Sequence, residues 1–463
     1  MPMRTGSAAA GTGTHPRGKD AIRAGLAGAG YLAGAGLLAN AANVATTFVL
    51  SHFLSSRGYG AFNLLVYLFL VLSMPGYAVV VAVVRQVSRW ESLGRTDRIA
   101  EWVRRWRLVS LVVAVAVLVA SVAAGPAIAR ALSLSNASGI TPILTAGAAW
   151  ALLSIDRGLI QAQRRYGALA VNLLVEAGAR TGVTLALVAA GMGVQGAMLA
   201  ILCSAAFADA HARFAIARQA PWGARGARGA LEEIEIASAG EAPFDELHSA
   251  TSTRDFLAAL SALALLASLA GLDVIVLGQY APNGSGAYAA IAVVAKVLFF
   301  AALILSGYLL PEATTRWHRG EHAFRQLAIT LGFLLVATAT EEGVALAGAR
   351  PVLGIVFPHR LLSDSGQMPV LVAAMGLLAI NVILTYYLLG IGRRSVIGEL
   401  AAGTGLLAIL LVAAGGKPGA TVGYDLAAQA ALTAVLSCTL GIASRTRPTL
   451  PAPREIRRSG PPT

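Results

Sequence analysis

Asp156, Arg157, Glu176, Arg180, Asp273 and Lys296 stand inside long apolar runs of this 463-residue chain. A charge at membrane depth costs a few kcal/mol unless it is paired or reaches water, so each needs a structural or functional reason. Glu176 and Arg180 are four apart, acid first, which places them on one helix face in the favourable order. Asp156 and Arg157 lie six or seven residues before Gln163, where their run ends, and Glu176 eight after Ala168, where the next begins. At about 1.5 Å per residue, two adjacent antiparallel helices carry them at similar depth. The four residues admit two readings. Either they neutralise one another and stitch the helices together, or Arg157 and Arg180 face a cavity and hold an anionic headgroup while the acids Asp156 and Glu176 orient them. Asp273 and Lys296 admit the same two readings, and a carboxylate in such a pair could also couple movement to an ion. The residue pattern offers no catalytic constellation: there is no metal-spaced His/Cys cluster, nucleophile elbow or phosphate-cradling loop. The longest connection on the sparsely charged side, Arg350 to Pro369, holds only Arg350, His359, Arg360 and Asp364. The chain therefore reads as a non-enzyme with neither cofactor nor metal.

The elements that must position these charges are transmembrane helices. Hydrophobic residues make up 56% of the chain and charged ones 13%, about half the charged share of a soluble domain. The apolar residues gather into runs of the length a bilayer crossing requires, about 20 residues. They fall near 30–54, 61–84, 108–129, 141–162, 168–190 and 194–217, then near 255–279, 286–310, 326–349, 369–391, 396–415 and 420–443. The expected fold is thus all-α and polytopic, with about 12 crossings in two six-helix lobes, 30–217 and 255–443. A linker, 218–254, separates the lobes, and polar tails, 1–29 and 444–463, read as disordered. The first run starts too late and is too long for a cleaved signal peptide. Cys203 and Cys438 lie within apolar runs and read as small buried hydrophobes.

The net charge of +13 reflects topology and not a nucleic-acid partner. About 28 of the 36 Lys and Arg fall in alternate loops and tails, and five in the others. That bias places both termini in the cytoplasm. Trp90, Trp102 and Trp106 among arginines suggest an amphipathic segment on the inner membrane face. Pro75-Gly76 predicts a kink in the second helix. Asn40, Asn43, Asn172 and Asn381 read as amides that bond neighbouring helices. The halves also resemble each other. Gly58-Tyr59-Gly60-Ala61-Phe62 matches Gly284-Ser285-Gly286-Ala287-Tyr288, Ser88-Arg89-Trp90 matches Thr315-Arg316-Trp317, and Arg164-Arg165 matches Arg393-Arg394, at offsets of 226, 227 and 229. Both copies start from the same side, so a pseudo-twofold axis should run along the membrane normal, with a ligand site between the lobes. The turn glycines are expected to supply positive φ for the reversal.

The stretch Gly158-Leu159-Ile160-Gln161-Ala162-Gln163-Arg164-Arg165-Tyr166 resembles a segment of the bacterial polysaccharide-biosynthesis membrane proteins. These are the oligosaccharide flippases of the multidrug/oligosaccharidyl-lipid/polysaccharide exporter (MOP) superfamily. Asp273 through Gly278, Gly286, Tyr288 and Lys296 to Pro311 is similar to their seventh and eighth helices, and Leu54 to Phe62 to the end of their first. Phe357-Pro358 departs from the family's more frequent Phe-Gly and should alter that loop's turn. The resemblance spans roughly residues 30 to 445. It implies a MATE-like fold with a V-shaped cavity between the lobes, in a bacterial inner membrane. The implied cargo is a polyprenyl-(pyro)phosphate-linked glycan carried to the outer leaflet, with other polysaccharide-assembly membrane proteins as neighbours. Arg is suited to phosphate through its planar fork, which makes Arg157, Arg180 and Lys296 the expected cargo contacts. A small-molecule exporter of the same superfamily is the alternative. A membrane glycan polymerase or glycosyltransferase is a further one, against which the short outer loops argue.

Overall fold

The computed structural model describes residues 18–92, 95–218, 247–318 and 322–445. The helices are α1 (Gly18–Phe53), α2 (Ser56–Ser92), α3 (Asp97–Ala131), α4 (Ile140–Ala162), α5 (Tyr166–Leu187) and α6 (Gly193–Ala217) in the first half. The second half holds α7 (Leu247–Tyr280), α8 (Ser285–Ala295), α9 (Val297–His318), α10 (Phe324–Val356), α11 (Met368–Gly390), α12 (Val396–Ala414) and α13 (Pro418–Arg445). Eleven stretches of the described residues are long and apolar enough to span a bilayer. One of them, Tyr166–Ala217, has 52 residues and would reach about 78 Å if straight, far beyond a hydrocarbon core of about 30 Å. It folds back at a π-helical turn, Val188–Met192, where Gly191 and Gly193 take φ of 86° and 53°, a region that suits glycine. Asn172 on α5 bonds the Ala208 carbonyl on α6, and Leu187 lies against Gly196, so the two helices run antiparallel. The chain is a multi-pass membrane protein, and among the described residues these stretches make twelve crossings once Tyr166–Ala217 is counted as two.

The repeat expected from three short motifs reappears as a repeated packing scheme. In the first half α2, α3 and α6 pack on α4, and α5 joins α1 to α6. In the second, α8 with α9, α10 and α13 pack on α11, and α12 joins α7 to α13. The two central helices are 72% buried over their spans, whereas α3 and α10 are 17% buried and form the lipid-facing rim. Small residues allow this density. Gly147 and Gly158 on α4 accept Leu72 and Val83 of α2, and Gly376 on α11 accepts Thr338 of α10. Close backbone approach of this kind drives helix association in lipid, where apolar burial alone contributes little.

Several expectations change. The tail 1–29 is helical from Gly18, where an Ala-rich flank extends α1 beyond its apolar core, and the linker 218–254 is helical from Leu247. Residues 1–17, 219–246 and 446–463 lie outside the described ones, as do most of the linker and the terminal tail. The tryptophans do not form a separate surface helix. Trp90 ends α2 and Trp102 and Trp106 belong to α3, in an edge-to-face chain of 5.5 and 6.1 Å. Helices of 37 and 35 residues outrun the hydrocarbon and carry the rings past its edge. The turn glycines serve contact and not positive φ. A Cβ at Gly60 would land on Ser285, and one at Gly286 on the Ser56 carbonyl. The two matching turns thus meet each other across the lobe boundary.

Helix α2 runs unbroken through Pro75, with Gly76 pressed on the Trp150 ring and 2.6 Å, as a virtual Cβ, from Ser154 Oγ. Trp150 cannot yield, being buried and edge-on to Phe69 at 5.5 Å. Gly76→Val is therefore expected to cost about 1–3 kcal/mol by overpacking. Gly178→Ala, which meets nothing within 4 Å, should be neutral or slightly stabilising. Thermal unfolding in detergent compares the two, and equal behaviour would contradict the packing described.

Candidate functional site

Asp156 and Arg157, adjacent on α4, serve two different clusters. Successive helical side chains diverge by about 100°, so the expected four-residue network separates. Asp156 is fully buried and accepts from Arg107 Nε on α3 at 2.9 Å, with Arg213 Nε of α6 at 3.4 Å. Arg213 also holds Asp209, one turn earlier, at 2.9 Å. Asp156 therefore ties three helices together on the side of α4 away from Arg157. Arg107 precedes the apolar run near 108–129 yet belongs to α3, which begins at Asp97.

Arg157 points to α5. Its Nε donates to Asn172 Oδ1 and its Nη2 to Glu176 Oε2, both at 2.8 Å. Asn172 is itself anchored, donating to the Ala208 carbonyl at 2.7 Å. Arg180 Nη2 donates to the other carboxylate oxygen, Glu176 Oε1, at 2.5 Å. Two guanidinium groups thus share one carboxylate, leaving an excess positive charge. The rings of Trp150 and Phe69 lie under Arg157 and Arg180, at 5.3 and 5.9 Å, where ring quadrupoles favour cations. Arg157 is locked in this network, while the Arg180 side chain keeps 18% of its surface exposed.

In the second lobe Asp273 accepts from Lys296 Nζ at 2.7 Å and from Tyr288 Oη at 2.8 Å. Lys296 stands where the eighth crossing is interrupted between α8 and α9, and is 1% exposed. Its ammonium lies 4.1 Å from the centre of the Tyr67 ring on α2, so this pair sits at the lobe boundary. Asp425 on α13, which the sequence reading passed over, is buried within electrostatic reach of both Asp273 and Lys296. Gln429 donates to it at 3.1 Å and continues through Asn381 to Thr433, tying α13 to α11. The signal that could have found Asp425 was the same one used elsewhere, a lone carboxylate in an apolar run.

Tyr77 on α2 lies within electrostatic reach of Glu176, Arg157 and Arg180 and of Tyr386 on α11, and is 49% exposed. Val81 one turn on, and Phe300 and Ile304 on α9, are also exposed. At the end remote from the Arg-rich loops the lobes touch, through Gly60 and Gly286 and through Gly271 and Gly278 of α7 against Tyr67 and Leu64 of α2. Of the three expected cargo contacts, the structure leaves Arg180 accessible and holds Arg157 and Lys296 in buried pairs.

Removing one member of a buried pair strands the other charge, whereas removing both does not. Lys296→Met is expected to lower stability by about 3–5 kcal/mol, and adding Asp273→Asn should recover most of that loss. Chemical unfolding in lipid nanodiscs measures it; a double variant no better than Lys296→Met would show that the pair is not coupled.

No family model and no curated protein matches the chain. Solved structures do. A multidrug resistance MATE family transporter of the MOP superfamily in an inward-facing conformation superimposes with a TM-score of 0.64 at 12% identity, covering 88% of this chain and 95% of that one. An outward-facing conformation of such a transporter gives 0.56 at 12%, over 89% and 94%. The MATE multidrug transporter DinF-BH in complex with R6G gives 0.59 at 14%, over 92% and 97%. The fold is MATE-like.

Proposed function

We propose that this MATE-like protein is an alternating-access transporter that moves a polyprenyl-(pyro)phosphate-linked oligosaccharide across the bacterial inner membrane. The observation that carries this reading is the pair Arg157 and Arg180 sharing Glu176, which we place on the wall of a cleft between the lobes. A cleft wall with positive charge in excess favours an anionic headgroup and disfavours a cationic one. Arg180 makes the contact, Arg157 and Glu176 hold it in place, and Lys296 with Asp273 secures the lobe boundary. Asp156 is a structural tie. The Arg-rich end faces the cytoplasm by the positive-inside bias, so the cleft opens toward the leaflet where such glycans are assembled, with both termini on that side. Other polysaccharide-assembly membrane proteins are the natural neighbours in the same bilayer. The chain needs no bond chemistry for this task and acts as a carrier, not an enzyme.

A small-molecule exporter is the second reading, favoured by Tyr77 and Tyr386 beside the charged cluster. Aromatic faces suit flat organic molecules. In reconstituted vesicles, Arg180→Gln is expected to lower translocation of a polyprenyl-pyrophosphate glycan at least tenfold, and Arg180→Lys to keep part of it. Melting temperatures of the variants should stay within a few degrees. Dye efflux that survives Arg180→Gln, with no glycan movement by the unaltered protein, would favour the exporter instead.

A further inference from the structure

The connection between α10 and α11 belongs to the second lobe but is seated on the first. Phe357 is buried against Phe48 of α1 and Tyr59 of α2, with ring centres at 5.2 and 6.2 Å. Pro358 then turns the chain at φ −65° and ψ 150°, and starts a short 3-10 turn, His359–Leu361, whose Leu361 N–H donates to the Pro358 carbonyl at 2.9 Å. Leu361 is buried, so the turn is fixed from below and Arg360 stands on it. Arg360 Nη2 donates to the carbonyls of Ser51, His52 and Leu54 at 2.6, 3.2 and 2.8 Å.

Those carbonyls lie at the C-terminal end of α1, where a helix runs out of its own N–H donors and carries partial negative charge. One cation from the opposite lobe therefore caps them. The contact lies at the closed end of the bundle, beside the meeting of Gly60 with Ser285 and of Ser56 with Gly286. Water can replace Arg360 on every one of these carbonyls once the lobes part, so the bonds can break and re-form at modest cost. A cap of this kind stabilises one conformation selectively, because the bonds exist only while that end is shut.

We propose that Arg360 is a latch that holds the bundle closed at the end remote from the Arg-rich loops, and that its release accompanies opening of that end. This assignment is independent of the cargo, since it involves no residue of the cleft.

Spin labels at Ser135, on the α3–α4 connection, and at Lys417, on the α12–α13 turn, report the separation of the lobes at this end. Both positions are exposed. In a background with Cys203 and Cys438 replaced, double electron–electron resonance in nanodiscs should show one short distance for the unaltered latch. Arg360→Ala and Arg360→Gln are each expected to raise the ratio of long to short distances about tenfold, as loss of charge-assisted bonds to backbone carbonyls would. Arg360→Lys should fall between, having no planar fork. Arg350→Ala, an exposed arginine of α10, should leave the ratio unchanged. Distance distributions in Arg360→Ala and Arg360→Gln that match the parent would overturn the latch, as would an equal shift in Arg350→Ala. If Arg360→Ala does not fold, Arg360→Gln decides the matter alone.

Discussion

Hydrocarbon does not solvate charge, and the arrangement of this bundle follows from that constraint. Most of the deeply buried ionic groups within the spans find partners among their neighbours, and the helices that supply them become fixed relative to one another. Asp156 draws α3 and α6 onto α4, and Glu176 draws Arg157 of α4 to Arg180 of α5. Asp273 brings the break between α8 and α9 against α7, and Lys296 carries that contact over to Tyr67 of α2. Such pairs are weak contributors to net stability compared with apolar packing. Their effect is to select one register of helices over its neighbours, because any slip strands a charge.

The same constraint explains how unequal the two lobes have become. Their backbones repeat one packing scheme around α4 and α11, but their charges do not correspond. The first lobe puts two guanidinium groups on one carboxylate, while the second puts two carboxylates, Asp273 and Asp425, around one ammonium. A duplicated scaffold thus carries differently composed ionic clusters in its two halves.

Much of the fold was legible in the sequence because hydropathy at membrane scale is a strong signal. Run boundaries such as 141–162 and 396–415 fall within a residue or two of α4 and α12. Side-chain direction was less legible. The depth argument correctly joined Arg157 to Glu176, but depth says nothing about azimuth, and Asp156 turned out to face the other way. Arg107 and Arg213 were hidden by their positions at the edges of the apolar runs, where arginine is ordinarily a topology marker. The glycines at 60 and 286 were recognised as special, yet their reason lay across the lobe boundary, in residues 225 and 230 positions away, where no local rule reaches. Arg360 was legible only as a loop charge, since its partners are backbone carbonyls and leave no trace in residue types.

The dense centres of the two lobes carry a broader implication. Helices α4 and α11 are enclosed by neighbours that meet them through glycine, alanine and aliphatic side chains, and many sequences can satisfy such surfaces. Architecture is therefore insensitive to most substitutions, while the few buried ionic positions, each tied to a partner, tolerate little change. A chain built this way can drift until only 12% of its residues match a structural counterpart and still fold alike. Chains that share this architecture would then differ most tellingly in a few charges at mid-depth, and overall sequence similarity would be a poor guide to shared fold.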